Sequence, residues 1–168
     1  MKKLIAIITL ALCIESTVAQ SEFESNSIQI GVVVENLEKS LDFYKNVIGM
    51  KETGGFTVES DFAQTTGLTG GEELEVTVLK LADSPQAAEW KLMSFGRKAT
   101  HPKQAYITDD TGMQYITIFV NSMAPFLKRI KKAGVKVLSK PNTQIPDGRL
   151  FVLIQDPDGN FIELIGNE

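Results

Sequence analysis

The chain contains one pattern twice: a strand with alternating apolar residues, an amphipathic helix that ends at glycine, and the start of another strand. The first copy is SIQIGVVVENLEKSLDFYKNVIGMK, residues 27–51, and the second is QYITIFVNSMAPFLKRIKKAGVKVL, residues 114–138. Period-two alternation indicates a half-buried strand and 3.6-residue spacing indicates a helix with one apolar face. We interpret the two copies as an internal duplication of a strand–helix–strand unit.

Each copy continues into further strands. EELEVTVLKL and EWKLMSF follow the first copy, while RLFVLIQ and NFIELIG follow the second, with the turn sequence DPDG between the last two. Asn36 and Ser122 are suited to cap the two helices, and the polar stretch from Gly96 to Met113 is typical of a linker. The predicted fold class is α+β: two βαβββ modules pair into a curved mixed sheet around a cavity, with the helices outside.

The first nineteen residues have the layout of a secretory signal peptide. A basic start, Met1-Lys2-Lys3, precedes the apolar stretch LIAIITLALCI, which is too short to span a bilayer, and small residues around Ala19 suit cleavage. We therefore expect an exported protein, in the periplasm or outside the cell. Cleavage also removes Cys13, the only cysteine, and Leu12 before it disfavours lipid anchoring at that position.

Composition excludes some classes of partner. The chain has a formal net charge of −4 and no basic block, which argues against binding nucleic acid or an anionic membrane surface. A small-molecule ligand is the expected partner. Arg97, Lys98, His101 and Lys103 could form a basic patch at the cavity mouth, although a solvated loop is the commoner explanation for such a run.

Two segments together suggest a family. VVVENLEKSLDFYKNVIGMK and DPDGNFIELIG resemble the vicinal-oxygen-chelate superfamily, which includes glyoxalase I, bleomycin- and fosfomycin-resistance proteins and extradiol dioxygenases. The resemblance covers a domain at residues 27–166. It implies a divalent metal held by one residue on the first strand and one on the last strand of each module, the last being the Glu of the IEL motif. The resemblance identifies the fold but not the reaction, because one fold supports many chemistries.

Strand alternation predicts which side chains face the cavity. If Ile30, Val32 and Val34 pack under the first helix, the residues between them point the other way. The same reasoning applied to the other strands predicts a set of inward polar side chains: Gln29, Lys91, Tyr115, Thr117 and Glu163. A one-residue change of register would reverse any of these strands.

The metal positions implied by the resemblance are only partly filled by usual ligands. Gln29 and Glu163 are acceptable oxygen donors, but Tyr115 stands where His is usual and Lys91, or Met93 after a shift of two, where Glu is usual. An ammonium group cannot ligate a metal. His101, the only histidine, lies in the linker.

Three interpretations of Glu163 therefore remain open. Gln29 and Glu163, with Tyr115, could hold a hard divalent ion. Alternatively the Lys91 ammonium takes the place of the metal and pairs with Glu163, which is the interpretation we favour. In the third, Glu163 reaches bulk water through an open cleft.

Two functions follow. The favoured one is a binding protein without a cofactor, in which Lys91, Tyr115 and Thr117 contact a small oxygenated or hydrophobic molecule. The alternative is a divalent-metal-dependent lyase or isomerase of the glyoxalase type, or a dioxygenase, in which Gln29 and Glu163 hold the metal and Glu163 moves a proton. The cavity could be closed within one chain or shared by a homodimer.

Overall fold

The computed structural model describes residues 24–25, 27–98 and 102–168. The expected signal peptide, Cys13 and His101 lie outside these residues. The strands are β1 Gln29–Val33, β2 Lys51–Val58, β3 Leu74–Lys80, β4 Glu89–Met93, β5 Tyr115–Ser122, β6 Leu150–Gln155 and β7 Phe161–Asn167. The helices are α1 Leu37–Asp42, which continues as a π-helical segment Phe43–Ile48, then α2 Ser60–Thr65 and α3 Ala124–Lys132. Within this part of the chain, no helix is long and apolar enough to cross a membrane.

The strands form two open sheets with corresponding order. The first is β1-β4-β3-β2 and the second is β5-β7-β6. In each sheet the module's first strand pairs in parallel with its last, β1 with β4 and β5 with β7, and the remaining pairs are antiparallel. The predicted α+β class and the duplicated arrangement are confirmed.

The second module differs from the prediction in one strand. The segment 135–138, expected to resume as a strand after α3, has no strand conformation. It contributes one backbone hydrogen bond to β6, from the Leu138 N–H to the Leu153 carbonyl at 2.8 Å, and Val137 is exposed. Apolar alternation alone did not produce a strand here because its outer face has nothing to pack against.

The two main helices begin differently. The Asn36 side chain accepts a hydrogen bond from the Lys39 N–H at 3.0 Å, which confirms it as a cap. The expected cap at Ser122 is wrong: Ser122 is the last residue of β5, Met123 precedes α3 without a side-chain cap, and the Ser122 hydroxyl donates to the Glu168 carbonyl at 3.3 Å.

One hydrophobic core lies between the helices and the convex faces of both sheets. It includes Val34 and Leu92 from the first sheet, Ile118 and Ile162 from the second, and Tyr44 from the π-helical segment. Residues from both modules therefore share this core, and a smaller cluster of Leu74, Val76 and Val78 is buried separately on β3. The opposite faces of the sheets, called the concave faces below, carry exposed apolar side chains that include Val33 and Phe119.

The turn before β7 connects the second module to the first helix. The Asp158 carboxylate accepts hydrogen bonds from the Glu35 N–H at 2.8 Å and from the Ser40 hydroxyl at 3.1 Å. The buried Asp156 carboxylate accepts one from the Tyr44 hydroxyl at 2.7 Å. The segment predicted only as a turn is a turn, with the Gly159 N–H bonded to the Asp156 carbonyl. It also holds the helix that packs against β4.

The C-terminal end of the same helical segment is held by α3. The Arg129 guanidinium donates to the carbonyls of Val47 at 2.8 Å and Ile48 at 3.1 Å, which are otherwise unsatisfied at a helix end. Arg129 also stacks on the Phe126 ring, 4.3 Å from its centroid. The positions of the two sheets relative to each other are thus fixed at both ends of one helix.

Candidate functional site

A cavity of about 440 Å³ lies between the facing edge strands of the two sheets. Its walls come from residues 31–35 of the first module and residues 113–116 of the second. Tyr44, Trp90 and Phe161 close its inner side, while Phe95, Arg97 and Lys98 belong to the loop after β4. The cavity is largely apolar and aromatic, with a few charged groups, as is usual for small-molecule sites.

The inner wall contains a buried hydroxyl that stays protonated. Burial, together with the Asp156 carboxylate to which it donates, raises the pKa of the Tyr44 hydroxyl well above its usual value. The Trp90 indole N–H opposes this increase slightly, although it makes no hydrogen bond of normal geometry within the described residues. Tyr44 therefore serves as a donor to Asp156 and does not act as a base.

On the concave face of the first sheet, Lys91 contacts Gln29. The Lys91 ammonium nitrogen lies 2.5 Å from the Gln29 amide oxygen and 3.8 Å from the Glu89 carboxylate. It also lies over the Phe56 ring, 5.4 Å from the ring centroid. Alternation places these side chains on the face away from the core, as predicted, because Trp90 and Leu92 on the same strand are buried in it.

On the second sheet, Glu163 contacts Thr117. The Thr117 hydroxyl donates to the Glu163 carboxylate at 2.7 Å, between residues that are directly opposite each other on β5 and β7. Both side chains are half-buried. The Glu163 carboxylate is accommodated in an apolar strand because it has a hydroxyl partner on the neighbouring strand and keeps partial access to water.

The predicted inward residues therefore form two separate pairs. Gln29 and Lys91 lie together on one sheet, Thr117 and Glu163 on the other, and Tyr115 lines the cavity between the sheets. The expected ion pair of Lys91 with Glu163 is not formed among the described residues, where Lys91 faces Glu89. The reason is geometric: both partners point away from the core, but each belongs to a different sheet.

The residues at the implied metal positions do not suit a divalent ion. Within the described part of the chain, no three side chains of the His, Cys, Asp or Glu type cluster closely enough to hold one. The Gln29 oxygen is already engaged by an ammonium group, and a positive charge at that place repels a metal cation. Glu163 would be the only anionic ligand of the four positions.

Sequence reasoning missed part of the cavity wall. Tyr44 and Trp90 belong to the hydrophobic core, and both also line the cavity. A solvated loop was the favoured interpretation of the basic residues after β4, but Arg97 and Lys98 are in the cavity lining, and Arg97 is ion-paired with Glu72. No local pattern could have shown that a core residue also faces an internal space.

Comparisons with known proteins agree with this architecture. The chain is 29% identical over 137 residues to a lactoylglutathione lyase from Neisseria meningitidis, covering 79% of this chain and 83% of that protein. Among solved structures, a glyoxalase family protein from Bacillus cereus superposes with a TM-score of 0.70 at 18% identity, covering 88% of this chain and 97% of that one. The fosfomycin resistance protein FosX from Listeria monocytogenes, solved with Mn(II), superposes with a TM-score of 0.53 at 16% identity, covering 82% and 88%.

The last two likenesses concern the fold alone, since their identities are low. The sequence profile of one superfamily, however, matches residues 27–164, which is most of the chain. Together with the duplicated modules, this match shows that the chain belongs to the Glyoxalase/Bleomycin resistance protein/Dioxygenase superfamily.

Proposed function

We propose that this chain is an exported binding protein that holds a small, partly apolar molecule in the cavity between its two sheets. The observation that carries the proposal is the cavity itself: about 440 Å³, walled by Tyr44, Trp90 and Phe161, with charged groups nearby. Its volume falls within the range of ligand sites. The molecule would contact Tyr115 in the cavity, with Thr117 two residues further along the same strand face.

The donor set supports binding without a resident metal. In relatives that use a metal, the ion supplies charge that polarises substrate oxygens. In this chain an ammonium group already occupies the Gln29 oxygen, so we propose that binding here involves no metal. Lys91 then supplies the positive charge.

The second candidate is the metal-dependent enzyme, a lyase, isomerase or dioxygenase. It is favoured by one observation, the likeness to lactoylglutathione lyase over most of both chains. In that case Gln29 and Glu163 would be the metal ligands, and the Glu163 carboxylate, held by Thr117, would carry the proton. Lys91 would first have to leave the Gln29 oxygen.

We also infer that the partner at the concave faces is a second copy of the chain. Phe119, which does not line the ligand cavity, is 65% exposed there, and aromatic side chains are enriched at protein interfaces. A homodimer would cover this side chain. Light scattering of the purified protein tests this, and replacing Phe119 with Lys should produce a monomer if the inference is right.

Export rests on the N-terminal sequence pattern alone. If the segment is a signal peptide, mass spectrometry of protein recovered outside the cytoplasm should give a chain beginning at Gln20. Recovery of the intact chain from the cytoplasm would contradict export and leave the binding proposal unaffected.

The binding proposal is tested by metal analysis, melting curves and a cavity-filling variant. Protein purified without a chelator should contain no stoichiometric divalent metal, and Mn, Ni or Zn should not raise its melting temperature. A naphthyl-sized probe such as 2-naphthoate should raise it, since a ligand that binds only the native state stabilises that state.

Gly31→Leu should abolish the effect of the probe, because Gly31 lines the cavity. Gly70→Leu is the control, because nothing lies within 4 Å of the site of its added side chain. Three results together would instead establish the enzyme. The purified protein would contain stoichiometric metal, added metal would stabilise the natural chain but not Glu163→Gln, and the protein would turn over a 2-oxoaldehyde thiol adduct.

A further inference from the structure

Charged and polar side chains form a row across the concave face of the first sheet. The strand register places Lys51 opposite Lys80, Lys80 opposite Glu89, and Glu89 opposite Gln29, so one residue from each strand lies in the same row. Lys91 is on the same face, two residues along β4. The row with Lys91 therefore carries three ammonium groups and one carboxylate.

The single carboxylate is shared between two of the ammonium groups, Lys80 and Lys91. Glu89 is closer to Lys80, at 3.1 Å, than to Lys91, at 3.8 Å. The second distance is too long for a hydrogen bond. Lys91 therefore keeps N–H donor capacity beyond its bond to Gln29, and its side chain is about one-fifth exposed.

The contact with Lys91 also fixes the orientation of Gln29. An ammonium group can only donate hydrogen bonds, so the atom facing it must be the amide oxygen. The Gln29 amide nitrogen, bonded to the same carbon as that oxygen, takes part in none of the hydrogen bonds among the described residues. An ammonium N–H of Lys91 and the amide NH₂ of Gln29 are thus neighbouring donors that can each donate a further hydrogen bond. This arrangement suits the two oxygens of a carboxylate.

This pair of donors is next to the cavity. Gly31 lines the cavity and lies directly opposite Lys91 on the parallel strands. Adjacent strands are about 4.8 Å apart. Gly31 itself places no side chain between the cavity and Lys91, and the flexible Met93 side chain, whose methyl lies 3.4 Å from where a Cβ on Gly31 would stand, is the neighbour on that face. The Phe56 ring on the other side of Lys91 is half exposed and offers an apolar surface.

We propose that Lys91 and Gln29 bind the carboxylate of a small organic acid whose apolar part lies toward the cavity beside Gly31. The inference rests on the proposed binding function and names its ligand class. The ammonium group takes over the charge role that a metal has in relatives, and it selects an anion where a metal would accept neutral oxygens as well.

Calorimetric titration of the whole chain, in a chelator and at low salt, tests the proposal with a matched pair of probes. The probes 2-naphthoate and 2-naphthamide share one apolar body and differ in charge. We expect the naphthoate to bind at least tenfold more tightly than the amide. Lys91→Met should weaken naphthoate binding at least tenfold and leave naphthamide binding unchanged, while Lys91→Arg should retain part of the difference.

Lys80→Met is the control for general electrostatic attraction, since it removes the same charge one strand away. It should weaken naphthoate binding less than threefold. Equal losses in the Lys80 and Lys91 variants, or equal binding of both probes by the unaltered chain, would overturn the carboxylate site and leave the cavity proposal standing. If neither probe binds the unaltered chain, the binding function itself is overturned. Melting curves of each variant show whether it is folded.

Discussion

The helices of the two modules occupy equivalent places in a duplicated unit, yet they are held in different ways. The first has a side-chain cap at Asn36 and is gripped from the second module at both ends, by the Asp156–Asp158 turn and by Arg129. The second, α3, has no side-chain cap and supplies Arg129. Local sequence patterns produce two similar units. The polar contacts that position them relative to each other all come from the second module and hold the helix of the first.

The largest effect on this asymmetry should come from Asp156→Ala. Asp156 is buried and accepts hydrogen bonds from Tyr44, Asn160 and the Asp158 N–H. Its removal leaves a buried hydroxyl without a partner, so we expect a loss of about 3 kcal/mol in the free energy of unfolding. Urea denaturation measures it. Asp147→Ala removes a pair with Arg149 whose side chains are 36% and 52% exposed and should have little effect. Similar midpoints for both variants would contradict the importance of the turn.

Arg129→Met should be next. The variant keeps an apolar side chain over Phe126 but loses the bonds to the Val47 and Ile48 carbonyls. We expect a loss of about 2 kcal/mol in unfolding free energy. Lys131→Met on the same helix, where the side chain is exposed, is the matched control. A difference below about 0.5 kcal/mol between the two variants would show that α3 does not hold the first helix through Arg129.

The Tyr44 hydroxyl should make stability pH-dependent on the alkaline side. Its pKa is raised in the folded chain, mainly by burial and then by Asp156, so above an ordinary tyrosine pKa of about 10 the unfolded chain releases a proton that the folded chain retains. This stabilising contribution is complete below about pH 10 and declines by about 1.4 kcal/mol for each further pH unit. Unfolding curves of the natural chain and of Tyr44→Phe at several pH values measure it as a difference. Parallel pH profiles would contradict a buried, protonated Tyr44.

The smallest expected effect compares the two helix starts. Asn36→Ala removes the cap on the Lys39 N–H and should cost about 1 kcal/mol of unfolding free energy. Ser122→Ala removes only the 3.3 Å hydrogen bond to the Glu168 carbonyl. It should cost only a few tenths of the unfolding free energy that Asn36→Ala costs. Equal costs, measured by urea denaturation, would mean that the two helix starts are alike after all.

The sequence predicted the parts of the fold that depend on local pattern. Alternation predicted that Gln29, Lys91, Thr117 and Glu163 all point toward one cavity, and the structure pairs them within each sheet instead. It could not predict that the two pairs stay apart, because the relative position of two sheets is set by long-range contacts. The same limit explains Asp156, whose turn chemistry was evident but whose bond to Tyr44 spans most of the chain.

The prediction of a strand at 135–138 was wrong for a different reason. Val135 and Val137 alternate as they would in a strand, but only one side of that segment packs against the protein. The result is a three-stranded second sheet, in contrast to the four-stranded first sheet. Strand propensity depends on side-chain packing as much as on the backbone. The sequence pattern alone does not show that no element in the described part of the chain packs on the outer side of residues 135–138.

The position of Trp90 has a practical consequence for spectroscopy. It is the only tryptophan of the chain, it is nearly inaccessible to solvent, and its ring is part of the cavity wall. Its fluorescence should therefore be blue-shifted and resistant to iodide quenching. Occupancy of the cavity should alter that emission directly, which gives the protein an intrinsic optical signal for screening organic acids without any label.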